Sequence, residues 1–411
     1  MRTILHSDLN NFYASVECRR NPLWKEYPLC VCGDPRDRHG IVLAKNYIAK
    51  NMGIKTGMVL WQARQICPNI ICVIANFDEY IDFSRRVRAI YEDYTDRIEP
   101  FGIDEAWLDV TESKALFGDG TSIANEIRER IKKEIGITAS VGVSFNKIFA
   151  KLGSDMKKPD ATTIITAENF KEKIWSLPVA TLLYVGRATN KKMHNLGIET
   201  IGDLANANPD YLRSKLGVWG KTLWEFANGL DNSPVKKVGQ SSIIKSVGNS
   251  MTAPRDIVTP EQAHVVLTVL AESVASRMRK YGVGKGRVVS VWMRDNALGS
   301  FVRQQKFLTP TSNSFDIIHR AMAILTKYYD FSLPLRSLGV SVSEFESDFQ
   351  QLSLWDTADE TKKQQDLAVE QIRKKYGFSS ISRANILFES KLIGLDIENS
   401  HTIHPMSYFR R

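Results

Sequence analysis

The stretch FGIDEAWLDV at residues 101–110 places two adjacent acids, Asp104 and Glu105, between apolar residues. The apolar residues on each side predict two short strands, 98–102 and 106–110, joined by a tight connection that carries both carboxylates. A carboxylate at the end of a buried strand loses its hydration and needs a partner. The pair therefore indicates either a salt-bridged surface hairpin or one half of a site for a hard cation.

The order of predicted elements around these acids indicates a ferredoxin-like plan. Alternating apolar residues predict strands, and apolar residues at helical spacing predict helices. A long insertion, residues 11–76, separates the first strand from the first helix. The order is β-α-β-β-α-β, with strands at 4–8, 98–102, 106–110 and 138–143 and helices at 78–97, capped by Asp78, and at 121–134.

A third acid, Asp8, ends the first predicted strand. In this plan the first strand shares a sheet with the hairpin at 101–110, so we expect Asp8 to lie beside Asp104 and Glu105. Three converging carboxylates suit Mg²⁺, which prefers carboxylate oxygens. Two such ions, roughly 3.5–4 Å apart, can hold the attacking and leaving oxygens of a phosphoryl transfer.

The composition of the 411 residues, 43% hydrophobic and 25% charged, is that of a globular protein, and the length predicts about two to four domains. No apolar run approaches the roughly 20 residues that span a membrane. The first residues show no signal-peptide pattern, so we expect a cytoplasmic protein without membrane association. The five cysteines include no Cys-x-x-Cys pair, which argues against a disulfide framework or a zinc site.

The net charge of +9 is concentrated in one part of the chain. Residues 166–345 hold 23 Lys and Arg against 14 Asp and Glu, whereas residues 1–165 hold 23 against 22. A concentrated positive region indicates a polyanionic partner, and nucleic acid is the first candidate. A solvated basic surface that only aids solubility is the alternative.

Glycines and a linker organise the chain after residue 165. The segments VGR at 185–187 and MHNLGI at 193–198 resemble half of a helix-hairpin-helix, which presents backbone N–H groups to DNA phosphates. Residues 231–245 have the composition of an exposed linker. A second small α+β unit follows, with helices predicted at 261–281 and 314–328 and strands at 287–294, 299–307 and 338–342.

Four blocks occur in one order: HSDLNNFYASVE at 6–17, GIVLAKNYIAK at 40–50, GIDEAWLDV at 102–110 and SVGVSFNKIFAKLGSDMKKP at 140–159. Together they resemble the Y-family DNA polymerases, the low-fidelity translesion enzymes, and within them the bacterial UmuC/UvrX-like branch. The resemblance covers about residues 1–345 and, more loosely, the tail.

The resemblance implies an α+β multidomain chain in a right-hand arrangement. Its parts would be a ferredoxin-like βαββαβ palm, small fingers, a helical thumb and an α+β little finger. The implied bounds are 1–10 and 77–165 for the palm, 11–76 for the fingers, 166–230 for the thumb, 231–241 for a linker, 242–345 for the little finger and 346–411 for a tail.

By resemblance, Asp8 and Asp104 bind both of two Mg²⁺ ions. Glu105 would complete the ion that activates the primer 3′-hydroxyl, and the Leu9 backbone carbonyl would complete the nucleotide-bound ion. Asp109 matches no metal ligand of the family, so we expect it to be structural.

Further positions match the family's nucleotide site. Tyr13 matches the steric gate, a ring that clashes with a ribose 2′-hydroxyl, and Phe12 would support that ring. Ala44 stands where many relatives carry a hydroxyl residue, which predicts the loss of one triphosphate hydrogen bond. Tyr184 replaces a glycine that is common in the thumb hairpin. The positions that match the triphosphate site are Ala44, Tyr47, Lys50 and Lys158.

The tail contains an apolar island, QLSLW at residues 351–355. An exposed peptide with three large apolar groups can bind in a partner's pocket, although a strand edge or a local hydrophobic contact is the alternative. The island resembles the bacterial sliding-clamp peptide, and the implied contacts are Gln351, Leu352, Leu354 and Trp355.

The family implies a template-directed, error-prone DNA polymerase that adds deoxynucleotides to a primer 3′ end. Its partners would be primer-template DNA, deoxynucleoside triphosphates and a bacterial sliding clamp. We expect a monomer in the cytoplasm, associated with the nucleoid, that serves damage tolerance, mutagenesis and the SOS response. Two alternatives stay open: a non-catalytic protein that binds DNA and the clamp, and a two-metal nucleotidyl transferase that needs no template.

Overall fold

The computed structural model describes residues 2–34, 40–240, 243–346, 357–377, 380–389 and 392. The chain divides into two compact units, which meet in the sequence between Ser241 and Ser242. The described residues up to 240 belong to the first unit, and those from 243 onward belong to the second.

The strands and helices up to residue 227 belong to the first unit, and those from residue 246 onward belong to the second unit. The strands are β1 Ile4–Leu9, β2 Leu29–Cys32, β3 Val42–Lys45, β4 Ile71–Ile74, β5 Ile98–Pro100, β6 Glu105–Asp109, β7 Ala139–Ser144, β8 Thr162–Ile165, β9 Ser246–Ile257, β10 Lys285–Asp295, β11 Ser300–Thr311 and β12 Leu335–Glu346. The helices are α1 Phe12–Arg20, α2 Tyr47–Asn51, α3 Leu60–Ile66, α4 Phe77–Glu92, α5 Lys114–Phe117, α6 Gly120–Arg130, α7 Lys147–Met156, α8 Phe170–Ile174, α9 Arg187–His194, α10 Ile201–Asn206, α11 Pro209–Leu216, α12 Val218–Ala227, α13 Pro260–Lys280, α14 Ser314–Tyr328, α15 Thr357–Tyr376 and α16 Ala384–Phe388.

The central sheet of the first unit has the strand order β5-β6-β1-β7-β8. Strand β1 is antiparallel to β6 on one side and to β7 on the other. The first four strands in this order are the second, third, first and fourth of the β-α-β-β-α-β order, so the ferredoxin-like plan is confirmed. Strand β8 is an addition and runs parallel to β7.

All six residues of β1 are buried. Its polar members have partners: Nδ1 of His6 lies 2.8 Å from Oγ of Ser154, and Oγ of Ser7 accepts a hydrogen bond of 2.8 Å from the Tyr91 hydroxyl. A shift of β1 by one residue would break these pairs and turn its apolar residues to the wrong faces.

Capping residues correct the predicted helix bounds. Helix α4 begins at Phe77, and the side chain of Asn76, rather than Asp78, accepts a hydrogen bond from the Glu79 N–H. An Asn with extended backbone is a strong N-cap because its side chain reaches the free N–H groups of the first turn. The helix ends at Glu92, before the predicted bound at residue 97.

The insertion between β1 and α4 forms its own small sheet, in the order β3-β2-β4. Strand β2 is antiparallel to β3 and parallel to β4. Val31 of β2 and Ala44 of β3 are paired and pack against the core of the central sheet. A separate core consists of Cys30, Cys32, Val42, Ala49, Ile54, Leu60, Ala63, Cys67 and Ile70.

Helices α8 to α12 form a helical region with an apolar core shared with α7. Tyr184 adopts a positive φ of 70°, which L side chains rarely take. The segment after α12 is less exposed than its composition predicted. Val235 is 4% exposed, and the Lys236 N–H donates to Glu99 of β5 at 3.1 Å.

The second unit is an antiparallel sheet in the order β11-β10-β12-β9. Helices α13 and α14 contribute to one core with this sheet. The predicted helix 314–328 has the bounds of α14. The predicted strands 287–294 and 338–342 lie within β10 and β12, and the predicted strand 299–307 begins one residue before β11. Strand β9 was missed by the sequence analysis.

Gly142 of β7 permits the close contact between the central sheet and α7. A Cβ at this position would lie 1.9 Å from the Ala150 carbonyl oxygen and 2.6 Å from the Ser154 nitrogen. Because both are backbone atoms, Gly142→Ala must displace the helix. We expect a loss of about 3 kcal/mol of unfolding free energy, measured by urea denaturation.

Gly186→Ala is the matched control. Gly186 has a φ of −78°, and a Cβ there would meet no heavy atom within 4 Å. We expect its denaturation midpoint to equal that of the wild type. Equal midpoints for Gly142→Ala and Gly186→Ala would contradict the assigned contact.

Candidate active site

Asp8, Asp104 and Glu105 meet at one end of the central strand. Asp8 and Glu105 are directly opposite residues in the antiparallel pair of β1 and β6. Asp104 precedes Glu105, and its carbonyl accepts a hydrogen bond of 2.9 Å from the Leu9 N–H. The sheet topology therefore brings together three acids that are nearly a hundred residues apart in sequence.

Two lysines lie among these carboxylates. Nζ of Lys151 is 3.1 Å from Oδ2 of Asp8 and 2.7 Å from Oε2 of Glu105. Nζ of Lys158 is 2.8 Å from Oδ1 of Asp8. Asp155 pairs with both lysines, at 3.2 Å from Lys151 and 3.0 Å from Lys158. With Asp104 included, four carboxylates face two ammonium groups, so the cluster is short of positive charge.

The acids of the cluster differ in pKa. Burial, followed by the charges of Glu105 and Asp8, raises the pKa of Asp104 to about 7. Burial also acts to raise the pKa of Glu105, but the hydrogen bond with His6 and the charge of Lys151 outweigh it and lower that pKa to about 2. Like charges held close together disfavour ionisation of one member, and here that member is Asp104.

The donor set fits Mg²⁺. Asp8, Asp104 and Glu105 offer carboxylate oxygens and Leu9 offers a carbonyl, which are the ligands this ion prefers. Burial and the neighbouring charges of Glu105 and Asp8 raise the pKa of Asp104, so its ionised form would gain from a nearby cation. Within the part of the chain that the structure describes, no three His, Cys, Asp or Glu side chains are already arranged as a metal-holding group. Because Lys151 and Lys158 pair with oxygens of Asp8 and Glu105, an ion bound by these oxygens would compete with the two lysines.

A cavity of about 470 Å³ opens next to the acids. Of the predicted nucleotide contacts, Phe12, Tyr13, Ala44 and Lys158 line it, whereas Tyr47 and Lys50 do not. The full lining is Asp8, Leu9, Asn11, Phe12, Tyr13, Leu43, Ala44, Lys45, Thr56, Asp104, Glu105, Lys151, Asp155 and Lys158.

The ring of Tyr13 is supported chiefly by Tyr80. The two rings are stacked, with centroids 4.5 Å apart and planes at 13°. The Tyr80 hydroxyl donates to Oε1 of Glu17 at 2.7 Å, which fixes that ring. Phe12, the predicted support, is buried in the core, and its ring is tilted at 5.7 Å from Tyr13. Sequence reasoning missed Tyr80, although it extends the apolar stripe of α4 one turn before Phe83.

Tyr47 and Lys50 lie on α2, next to each other. Nζ of Lys50 is 5.4 Å from the centroid of the Tyr47 ring. Burial raises the pKa of Tyr47, and the charges of Lys158 and Asp8 act on it in opposite directions. Tyr47 is thus within electrostatic reach of the acidic cluster, although it does not line the cavity.

Lys45, Lys151 and Asp155 were missed by the sequence analysis. Lys45 follows Ala44, lines the cavity, and donates from Nζ to Oγ1 of Thr56 at 2.8 Å. Lys151 and Asp155 are four residues apart on one helix face, a spacing typical of an ion pair. That spacing is visible in the quoted block 140–159 and was the available signal.

Asp109 is hydrogen-bonded to Thr111, two residues further along the chain. Its Oδ1 accepts hydrogen bonds from the N–H of Thr111 at 3.1 Å and from the Thr111 hydroxyl at 2.5 Å. The predicted clamp contacts Gln351, Leu352, Leu354 and Trp355 lie outside the described residues.

Strand β11 is a candidate surface for nucleic acid in the second unit. It is the edge strand of its sheet and is exposed over most of its length. Arg303 and Lys306 are exposed on it, and Lys306 pairs with Glu344 of β12 at 2.5 Å. Among the described helices, none has the length and apolar character needed to cross a membrane.

Three sequence families match the chain in order. The "impB/mucB/samB family" matches residues 7–155, "DNA polymerase-iota, thumb domain" matches 182–231, and the "impB/mucB/samB family C-terminal domain" matches 244–354. Two similar relatives are "DNA polymerase IV" of Acetivibrio thermocellus and "DNA polymerase IV 2" of Bacillus subtilis.

The first of these relatives is 52% identical over 392 residues, which cover 94% of this chain and 98% of the relative. The second is 38% identical over 93% of this chain and 94% of the relative. A solved structure of a "Y-family DNA polymerase chimera Dbh-Dpo4(243-245)-Dbh" superposes with a TM-score of 0.74 and 26% identity, covering 84% of this chain and 100% of the chimera chain.

The fold and these matches define a polymerase with palm, thumb and little-finger domains. The chain belongs to the Y-family of DNA polymerases and is a DNA-directed DNA polymerase. The similar relatives carry the name DNA polymerase IV, and the expected UmuC/UvrX-like branch is not confirmed.

The raised pKa of Asp104 makes stability depend on pH in the metal-free protein. Because the folded-state pKa of about 7 exceeds that of an unfolded Asp, the stabilising protonated form is lost as pH rises from about 4 to 7. As pH rises from 5 to 8, we expect the unfolding free energy of Asp104→Asn to increase by on the order of 2 kcal/mol relative to that of wild type. Urea denaturation in EDTA measures this difference.

Asp119→Asn serves as the control for that measurement. Asp119 is an exposed N-cap of α6, and its hydrogen bonds with Ser122 lower its pKa. It should not reproduce the gain with rising pH. If the unfolding free energies of wild type and Asp104→Asn differed by the same amount at every pH, the raised pKa of Asp104 would be contradicted.

Proposed function

We propose that this chain is a template-directed, error-prone translesion DNA polymerase that extends a primer 3′ end by two-metal phosphoryl transfer. The observation that carries the proposal is the meeting of Asp8, Asp104 and Glu105 beside a cavity lined by Tyr13 and Lys158. The 52% identity to a protein named DNA polymerase IV supports the same function.

Asp8, Asp104 and Glu105, with the Leu9 carbonyl, are the groups that would hold two Mg²⁺ ions. When bound, such ions make the primer hydroxyl a better nucleophile and stabilise the charge on the transferred phosphoryl group. His6, buried beneath the site, has Nε2 at 3.3 Å from Glu105 and orients that carboxylate. The chain thus holds carboxylates together before any ion binds, and the neighbouring lysine side chains lower the free-energy cost of doing so.

The lysines have a second function in this proposal. An ammonium group that is paired with a carboxylate can turn toward an incoming triphosphate, because Lys is a flexible point charge. Lys158, at 2.8 Å from Asp8, is placed to make that exchange. Tyr47 and Lys50 on α2, in the same insertion, would complete the triphosphate contacts.

Tyr13 is proposed as the steric gate. Its ring lines the cavity and is held from behind by Tyr80, so it cannot move easily to admit a larger sugar. The insertion also carries the small residues Gly40 and Ala44, of which Ala44 lines the cavity. They would leave room around a templating base, which would suit distorted templates and give weak selection against mispairs.

The remaining partners stay proposals as well. Clamp binding through residues 351–355 would raise the effective concentration of the polymerase at a primer end. Primer-template DNA would contact the basic second unit through its phosphates. Action as a cytoplasmic, nucleoid-associated monomer in damage tolerance, the SOS response and mutagenesis follows from the same family resemblance.

Asp104→Asn tests the catalytic assignment. Removal of one metal-binding carboxylate should slow single-turnover primer extension with Mg²⁺ by roughly a thousandfold or more. The matched control is Asp109→Asn, on the same strand as Glu105, which should extend at a rate near wild type. Primer-template binding by both variants, measured by fluorescence anisotropy, excludes a folding defect.

Three other results would each change the proposed function. Wild-type protein that binds primer-template but never extends it would favour the non-catalytic alternative. Extension that ignores the template base would favour a transferase without a template requirement. Equal extension by Asp104→Asn and wild type would remove the acidic cluster from the mechanism.

Tyr13→Ala tests the steric gate. Without the ring, the 2′-hydroxyl of a ribonucleotide meets no obstacle, so selection for deoxynucleotides over ribonucleotides should fall by about a hundredfold. Tyr13→Phe keeps the ring and should keep the selection. Single-nucleotide insertion with each sugar measures both, and unchanged selection in Tyr13→Ala would remove the assignment.

A further inference from the structure

Three thiols form a row across two strands of the insertion sheet: Cys30 and Cys32 on β2, and Cys72 on β4. Cys30 and Cys72 are directly paired in the parallel ladder of β2 and β4. The Cys30 thiol donates a hydrogen bond to Sγ of Cys72 over 3.7 Å. All five cysteines of the chain are free thiols.

We propose that Cys30 and Cys72 form a dithiol site that a hydroperoxide oxidises to an intramolecular disulfide. Adjacent strands run about 4.8 Å apart, and this spacing lies within the Cα separations that disulfides span. The sulfurs are already in contact. Side-chain rotation, without movement of the strands, can therefore bring them to bonding distance.

The two thiols differ in access to an oxidant. Cys30 is fully buried, whereas Cys72 is partly exposed. Because an oxidant reaches the more exposed sulfur first, Cys72 is the residue that the peroxide oxidises, and Cys30, in contact with it, is the resolving thiol.

The reaction balances in two steps. The Cys72 thiolate attacks the O–O bond of the hydroperoxide, an S–O bond forms, and the leaving alkoxide takes the thiol proton as an alcohol. Cys30 sulfur then attacks the Cys72 sulfenic acid, the S–S bond forms, the S–O bond breaks, and water leaves with the Cys30 proton. The two thiols lose two electrons and two protons, and the hydroperoxide is reduced to an alcohol and water.

The site lies next to the wall of the nucleotide cavity but does not depend on the proposed polymerase mechanism. Cys30 also pairs with Lys45 of β3, and Val31 beside it pairs with Ala44. Oxidation would join β2 to β4 and close the covalent loop from residue 30 to residue 72. A cross-link of this length restricts the unfolded chain, so the oxidised protein should unfold several degrees higher.

Mass spectrometry of the full chain tests the proposal. The protein is treated with hydrogen peroxide, free thiols are blocked with iodoacetamide, and trypsin is added without reductant. The tryptic peptides 26–36 and 65–85, which contain Cys30 and Cys72, should be joined and should separate again with dithiothreitol.

Single substitutions assign the link. It should disappear in Cys30→Ser and in Cys72→Ser, and persist in Cys32→Ser and in the matched control Cys67→Ser, which removes another buried thiol of the same core. If Cys30→Ser fails to fold, the comparison of Cys72→Ser with Cys67→Ser still decides. Peptides that are never joined, or a link that survives Cys72→Ser, would overturn the proposal.

Discussion

The pairing of β1 with β6 is the contact on which the active site depends. It sets Asp8 opposite Glu105 and places Asp104 within reach of the Leu9 N–H. The register is fixed by burial rather than by the acids themselves. All of β1 is buried, and its two faces belong to different apolar clusters, with Leu5 and Leu9 in one and Ile4 in the other. A one-residue slip would bury the wrong side chains along the whole strand. Core packing therefore positions the carboxylates.

Gathering these carboxylates costs free energy, and α7 offsets part of that cost. The helix can approach β7 closely because Gly142 has no side chain in the contact. That approach carries Lys151 to Asp8 and Glu105. Breaking a buried ion pair by removing one partner is costly, so Lys151 stabilises the folded arrangement of Asp8 and Glu105; in the proposed mechanism, Mg²⁺ would compete with it for the same oxygens. The carboxylate oxygens that stabilise the fold by pairing with Lys151 are thus the same oxygens that are proposed to bind cations.

The ferredoxin-like plan and the meeting of the acids could be predicted from sequence because both follow from strand order. Strand β9 could not, since its sequence SVGNSMTAPRDI lacks a regular apolar alternation and contains a proline. Tyr94 continued the apolar stripe of α4 beyond Glu92, which made the predicted helix too long; it is buried from a turn instead. Lys151 could not be predicted as a site residue because it pairs with Asp8 and Glu105, which come from strands distant in sequence.

The linker at residues 231–245 is a second case in which the sequence pattern gave a wrong expectation. Its polar composition predicted exposure, but Val235 is buried with Ile4 and Trp107. Lys236 and Lys237 also pair with Glu99 and Asp96, on or just before β5. A single apolar residue with flanking cations is enough to hold such a segment against a sheet, and composition averaged over fifteen residues conceals it.

The insertion sheet explains the absence of a hydroxyl at position 44. Ala44 lines the nucleotide cavity, and it also packs with Val31 against the core of the central sheet. A hydroxyl there would be desolvated on its inner side and would need a partner. The next residue, Lys45, lines the same cavity and holds Thr56. In the proposed mechanism the ammonium groups of Lys45, Lys151 and Lys158 would therefore supply the attraction for phosphate, and the small residue at 44 serves the packing between the two sheets.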